Sequence, residues 1–591
     1  ASRLAFNQQL LSADTTCLKL VADEPDDDSI AALAEYWETP AQSRELEPIL
    51  RAIGRISGHD RIDLAHLVPR LARSLLYTYP PDFAAASEPA QENAAMAVGY
   101  FHPEVDPTAS LANGFSEWLV EHCDPVRGPD RHYGDIIVFE ETSRTRWPFT
   151  MVYIADGIVF GRRPTLYGPW ELLPETLIPE INPRLRARPV TVWRRRTTSP
   201  NFAPPFDSSP PVPSAWPQTP ALRELAAGPW GRLWCYDVLL APSRDMLDQL
   251  PEPASQPQWT FSGTSAREIE TTLSSEPMPE STRQQLRALF AGVRPDAHGR
   301  LVVHPTPDLV LATPAAFRAK HFPRLLHGAA ANDYAQDVFI PARVGATQWF
   351  SPDLLPSSAR KTLLSLVYPR GAGLMLSDYG TLFHSISDLN LRRQTLRTLF
   401  RTPALIVLLE RPQPDEVSGL ADYWRLDQQK SISRLLDSFA TADDLTYLDI
   451  VHLLPPLARE MMNVYLRTVA DGPTPSCYWT ALNFDADRPD SRFLVIPRRP
   501  GQESEIAWKK LRQDYRPIAN ASRLGDVIAY RRTSDDNLNH VCVFVAADVV
   551  FTKNGFGPQA PWCLMNLADV DALYAEPGRV ERLAFRPKAA N

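Results

Sequence analysis

Two residues in the last quarter of the chain, Cys477 and His540, have the types that nucleophilic acyl chemistry requires. A thiol attacks carbonyls as its thiolate, so it needs a helix start or an imidazolium to hold the charge and a base to take the proton. Cys477 follows the helix-breaking run Gly472-Pro473-Thr474-Pro475-Ser476 and opens Tyr478-Trp479-Thr480-Ala481-Leu482-Asn483-Phe484, a segment predicted to be helical with its amide end toward the sulfur. His540 opens an apolar run just downstream of a strand led by Gly525-Asp526, which would fix its ring on a rigid sheet. Helix and sheet must then meet across a gap of more than sixty residues.

Other residues of the same types have blander readings. Cys542 and Cys563 lie in apolar runs and are expected to be small buried hydrophobes. The six cysteines form no CxxC pair and have no His-rich companions, so no metal site, cofactor or disulfide framework is expected. His66 and His452 sit in apolar helical runs before proline and are read as structural. Asp135 and Asp526 are expected to fix the turns entering their strands through nearby amides.

The elements that would position the pair occur twice. Leu33-Ala34-Glu35-Tyr36-Trp37 returns as Leu420-Ala421-Asp422-Tyr423-Trp424, and the run from Asp63 to Pro69 with His66 returns as Asp449 to Pro455 with His452. Gly134-Asp135 answers Gly525-Asp526, Ile158-Val159-Phe160 answers Val549-Val550-Phe551, and Pro169-Trp170 answers Pro561-Trp562. Each copy begins with residues at helical spacing and ends in short β-branched runs, which describes an α+β module. The first copy lacks the chemistry. Phe149 stands at the His540 position, and Ala94, or Asn93 or Ala95 after a shift of one, stands opposite Cys477.

The order Cys477, Gly525-Asp526 leading a strand, His540 opening the next and Val549 to Thr552 forming another resembles the NlpC-type, papain-like cell-wall peptidases and amidases. The resemblance covers roughly the last quarter of the chain, and Ser476-Cys477-Tyr478-Trp479 replaces the usual Asp-Cys-Ser-Gly signature. It implies two papain-like modules, the N-terminal one degenerate, with helices packed on a small antiparallel sheet. It also implies a third polar residue after the histidine to orient the imidazole. Asn554 is taken for that role, with Thr552 and Lys553 as alternatives, because a one-residue slip in a strand changes the face. The implied activity is amide hydrolysis in peptidoglycan stem peptides through a Cys477 thioester. Alternatives are a thioesterase or acyltransferase on the same core and a non-catalytic cell-envelope binding or assembly protein.

At 591 residues the chain exceeds one core. The expected division is 1–200 for the first module, 201–220 for a Pro-rich linker, 221–412 for a mixed α/β middle domain available to a protein partner, and 413–591 for the catalytic module. A net charge of −9 argues against nucleic acid, with Arg194 to Arg196 and Arg392-Arg393 read as solvated edges. No run is long and apolar enough for a membrane helix. The start at Ala1 rather than methionine suggests a removed leader or tag, and with the resemblance points to the periplasm or the exterior.

Overall fold

A computed structural model describes chiefly residues 61–76, 115–140, 149–162, 170–196, 222–240 and most of 256–588, with short stretches at 17–19, 36–37, 97–99 and 101–102. The Pro-rich linker and the positions around Ala94 lie outside the described residues. The chain is mixed α/β, built on several antiparallel sheets.

In the first part, β1 (Cys17–Lys19) pairs with β2 (Arg61–Asp63), and α1 (Arg70–Leu75) follows the Asp63–His66 turn. Then come α2 (Phe115–His122), β3 (Cys123–Pro125), β4 (Ile136–Phe139), β5 (Phe149–Ala155), β6 (Ile158–Arg162), β7 (Trp170–Pro174) and β8 (Val190–Arg195). The six strands β3 to β8 form one sheet in the order β3-β8-β4-β5-β6-β7. Ile136 and Val138 face the large common core, while Ile137, Phe139 and Met151 face a smaller one with Ile178 and Leu185. Burial on both faces explains why these strands are continuous apolar runs rather than alternating ones.

The middle begins with β9 (Arg223–Glu224) and β10 (Leu233–Leu240), followed by the pair β11 (Trp259–Ser262) and β12 (Arg300–Val303). After α3 (Ala315–His321) comes the three-stranded sheet of β13 (Val338–Pro341), β14 (Val367–Arg370) and β15 (Gly373–Leu376). Its polar centre is Arg318 on α3, ion-paired with Asp378 at 2.9 Å with both side chains fully buried, while the Trp259 indole donates to the same carboxylate at 3.1 Å. The expected boundary at 412 falls inside a sheet. Strand β16 (Thr402–Glu410) pairs on one edge with β10 and on the other with β17 (Tyr447–Asp449).

The last part repeats the first in strand order. It contains α4 (Pro456–Met461), α5 (Cys477–Leu482), α6 (Gln502–Asp514), β18 (Tyr515–Ile518), β19 (Val527–Arg532), β20 (Leu538–Ala546), β21 (Val549–Lys553), β22 (Trp562–Asn566), α7 (Leu567–Tyr574) and β23 (Val580–Pro587). The sheet runs β18-β23-β19-β20-β21-β22, the same succession as the first six-stranded sheet. Each sheet has a register shift at the same turn, between Tyr153 and Ala155 and between Phe544 and Ala546. Each is entered by a left-handed glycine, Gly134 at φ +87° and Gly525 at φ +88°, a conformation that side chains with a β-carbon resist.

The aspartates beside those glycines are buried and more than turn formers. Asp526 accepts from the amides of Ser522 and Arg523 and takes a bidentate clamp from Arg586 at 2.7 Å. Asp135 accepts from the His132 amide and is clamped by Arg194 at 2.8 Å. Arg194 keeps a solvent-facing side chain and is also the counter-ion that closes β8 onto the β4 entry. Arg392 likewise donates to the Ile386 carbonyl and lies over the Phe383 ring.

Candidate functional site

Cys477 is the first residue of α5, after Ser476 in extended backbone. The helix α5 is entirely buried, with Phe484 just beyond it meeting the Phe551 ring and the Trp562 indole donating to Thr480 at 2.8 Å. At six residues the helix has little dipole. What faces the sulfur are individual donors, the amides of Val541 and Tyr478 and its own. Tyr478 fixes the crossing of α5 over β20 by donating to the Leu538 carbonyl at 2.7 Å. The sulfur thus sits against the amide of the residue next to His540.

His540 is fully buried on β20, paired with Tyr530 across the sheet. Its Nε2 lies 3.1 Å from Thr552 Oγ1, and the Thr552 hydroxyl donates to Asn554 Oδ1 at 3.2 Å. That polarity assigns the tautomer. A threonine hydroxyl has one proton, and with it committed to Asn554 the Nε2 must carry hydrogen and donate to Thr552. Nδ1 is then the lone-pair nitrogen, buried and without a hydrogen-bond partner among the described residues. An unfilled acceptor in a core costs about 1–3 kcal/mol. It is the nitrogen a base would need.

The three side chains considered for the orienting role divide the work. Thr552 touches the imidazole, Asn554 acts one step out by fixing the Thr552 hydroxyl, and Lys553 points elsewhere. Lys553 is fully buried beside the Trp562 ring and donates to the carbonyls of Gly557 and Ala560 at 3.0 and 2.7 Å. It is the cation whose charge reaches Cys477. Ser476 Oγ is also buried without a hydrogen-bond partner among the described residues.

Burial dominates the electrostatics. It pushes the Cys477 thiol up to about 12 against the opposing pull of the amides and Lys553, and it holds the His540 imidazole down to about 3. The same desolvation lowers Lys553 to about 7, with Cys477 and Cys563 pulling the other way. Burial therefore keeps both groups uncharged at rest, with the sulfur against the amide of Val541, the residue that follows His540 on β20. Tyr574 of α7 seals it by stacking on His540 with ring centroids 3.8 Å apart and planes within 4°.

Comparison with protein-family models, with curated proteins and with solved structures gives no match. The corresponding place in the first sheet is filled with hydrocarbon. Phe149 pairs with Phe139 as His540 pairs with Tyr530, and Gly161 stands where Thr552 does, its missing side chain leaving room for the Met151 sulfur. Arg162 opposite Trp170 matches Lys553 opposite Trp562, so a buried cation recurs where the histidine does not. Cys542 and Cys563 are buried as expected. His66 and His452 bind the aspartates of each other's copy, Asp449 at 3.0 Å and Asp63 at 2.6 Å. Among the described residues no cluster of three or more His, Cys, Asp or Glu could hold a metal, and no helix is long and apolar enough to cross a membrane.

Proposed function

We propose that the chain is an internally duplicated, papain-like protein of NlpC type whose C-terminal module is a cysteine hydrolase acting on an amide bond, with peptidoglycan stem peptides as the substrate class and the cell envelope as its place of work. The observation that carries the reading is the polarised relay from Asn554 through Thr552 to His540, which leaves an unfilled basic nitrogen beside the strand position whose amide meets the Cys477 sulfur. In the reaction, His540 Nδ1 takes the thiol proton as Sγ bonds to the carbonyl carbon. The imidazolium, held by Thr552, returns that proton to the departing amine, and water added to the thioester restores the thiol. Backbone amides around the sulfur stabilise the oxyanion. The N-terminal module, with Phe149 and Gly161 in place of the relay, serves packing or ligand binding.

Cys477→Ala should abolish release of amino groups from cell-wall peptide fragments and leave the melting temperature nearly unchanged. Turnover surviving that substitution rejects the reading. Acyl transfer or thioester cleavage in place of new amino groups would assign the same dyad to a thioesterase or acyltransferase. The closed site favours a second reading, a non-catalytic envelope binding or assembly protein, because Cys477 is only 5% exposed and its thiol is protonated. Under that reading Cys477 alkylates no faster than a model thiol in every state of the protein.

A further inference from the structure

The hydrolase reading meets a physical objection, since no substrate reaches a sulfur and an imidazole that are this buried. An element must move. Strands β20 and β21 are each bonded on both edges, and α5 is pinned by Thr480 and Tyr478. The last turn of α7 is different. It lies outside the sheet, and the helix ends at Tyr574, where Ala575 turns extended.

We propose that Tyr574 is a gate over the Cys477–His540 site, latched by the middle-domain turn at Gly371, and that turnover requires the last turn of α7 to swing away. The inference rests on the hydrolase reading for its purpose but not for its geometry. The Tyr574 ring covers one face of the imidazole, and its phenol is within electrostatic reach of Cys477 and Tyr478. The body of α7 is held upstream, by Tyr530 donating to Asp571 at 2.8 Å and Arg582 donating to it at 2.7 Å. Beyond Asp571, where Tyr574 meets the His540 and Tyr530 rings, a further restraint comes from another part of the chain. Gly371, at φ +56°, brings the β14–β15 turn so close that a β-carbon there would lie 3.1 Å from Ala572 Cα. The device is a two-state contact biased from a second surface.

The test is the rate of Cys477 alkylation by iodoacetamide in the full chain, read by mass spectrometry. Tyr574→Ala should raise it about tenfold or more, and Tyr574→Phe, which keeps the stack, should leave it near the native rate. Gly371→Asn tolerates the left-handed backbone and wedges the latch, so it should raise the rate several-fold. An unchanged rate in a folded Tyr574→Ala chain overturns the gate. If that variant does not fold, hydrogen exchange of the native chain decides: amides of the last turn of α7 should exchange far faster than those of β20, and equal protection rejects the proposal. Fast alkylation without turnover supports the gate while rejecting the hydrolase. Equal turnover in native and Tyr574→Ala chains rejects the gate alone.

Discussion

At the scale of single residues, the site depends on which atom of His540 holds the proton, and that is decided two side chains away. Thr552→Val removes the acceptor of the Nε2 hydrogen and frees the tautomer, so turnover should fall about 100-fold, a loss of about 3 kcal/mol in transition-state stabilisation. Asn554→Ala leaves Thr552 in contact with the ring and should cost nearer tenfold; steady-state rates of the two variants side by side check the order. His540→Phe should abolish turnover yet fold, since Phe149 already fills that position in the first sheet. It should also change the acid limb of stability. His540, His102 and His321 are all held below their ordinary value by burial, to about 3, 4 and 4. The unfolded chain therefore takes up protons first as pH falls below about 6.5, and stability drops progressively from there toward pH 4. Melting temperatures measured across that range should slope less steeply in His540→Phe. The sequence displayed Cys477 and His540 by residue type and order alone. It did not display the division of labour among Thr552, Lys553 and Asn554, because that depends on strand phase and a hydroxyl rotor.

At the scale of elements, each six-stranded sheet is closed by one buried aspartate that ties a turn to a returning strand. Asp526 is 1% exposed and is satisfied by two amides and the Arg586 fork. Asp526→Ala would take away the acceptor shared by two turn amides and the Arg586 fork, so a loss of about 2–3 kcal/mol is expected from denaturant titration. Arg586→Ala should cost nearly as much, since it leaves the carboxylate without its counter-charge. The double variant should cost less than the sum, and additive losses would refute the coupling. The strands were legible as short β-branched runs after a Gly-Asp pair. The clamp was not, because 60 residues separate its partners and arginine runs more often mark solvent-exposed edges. The β16–β17 pairing was hidden for a similar reason: a boundary drawn from composition cannot see a ladder that crosses it.

At the scale of the molecule, the repeated histidines and aspartates join the two halves reciprocally. His66 lies 3.0 Å from Asp449 and His452 2.6 Å from Asp63, while each aspartate also accepts from an amide in its own turn, Ala65 for Asp63 and Val451 for Asp449. The exchange is extended by Arg73, which donates to the Glu460 carbonyl, and Arg459, which donates to that of Leu76. The repeat was plain in the sequence, but nothing in it says that the copies trade partners, because a motif displays its residues and not their addresses. The consequence is thermodynamic. If the two halves stabilise each other through these buried pairs, losing one must weaken both, and Asp63→Ala, made in the first half, should lower the unfolding free energy of the Cys477 half by about 3 kcal/mol. Calorimetry should then show one transition moving down as a unit. Pulsed hydrogen exchange should find β20 and β5 losing protection together; loss confined to β5, with β20 as protected as before, would show that the halves fold independently.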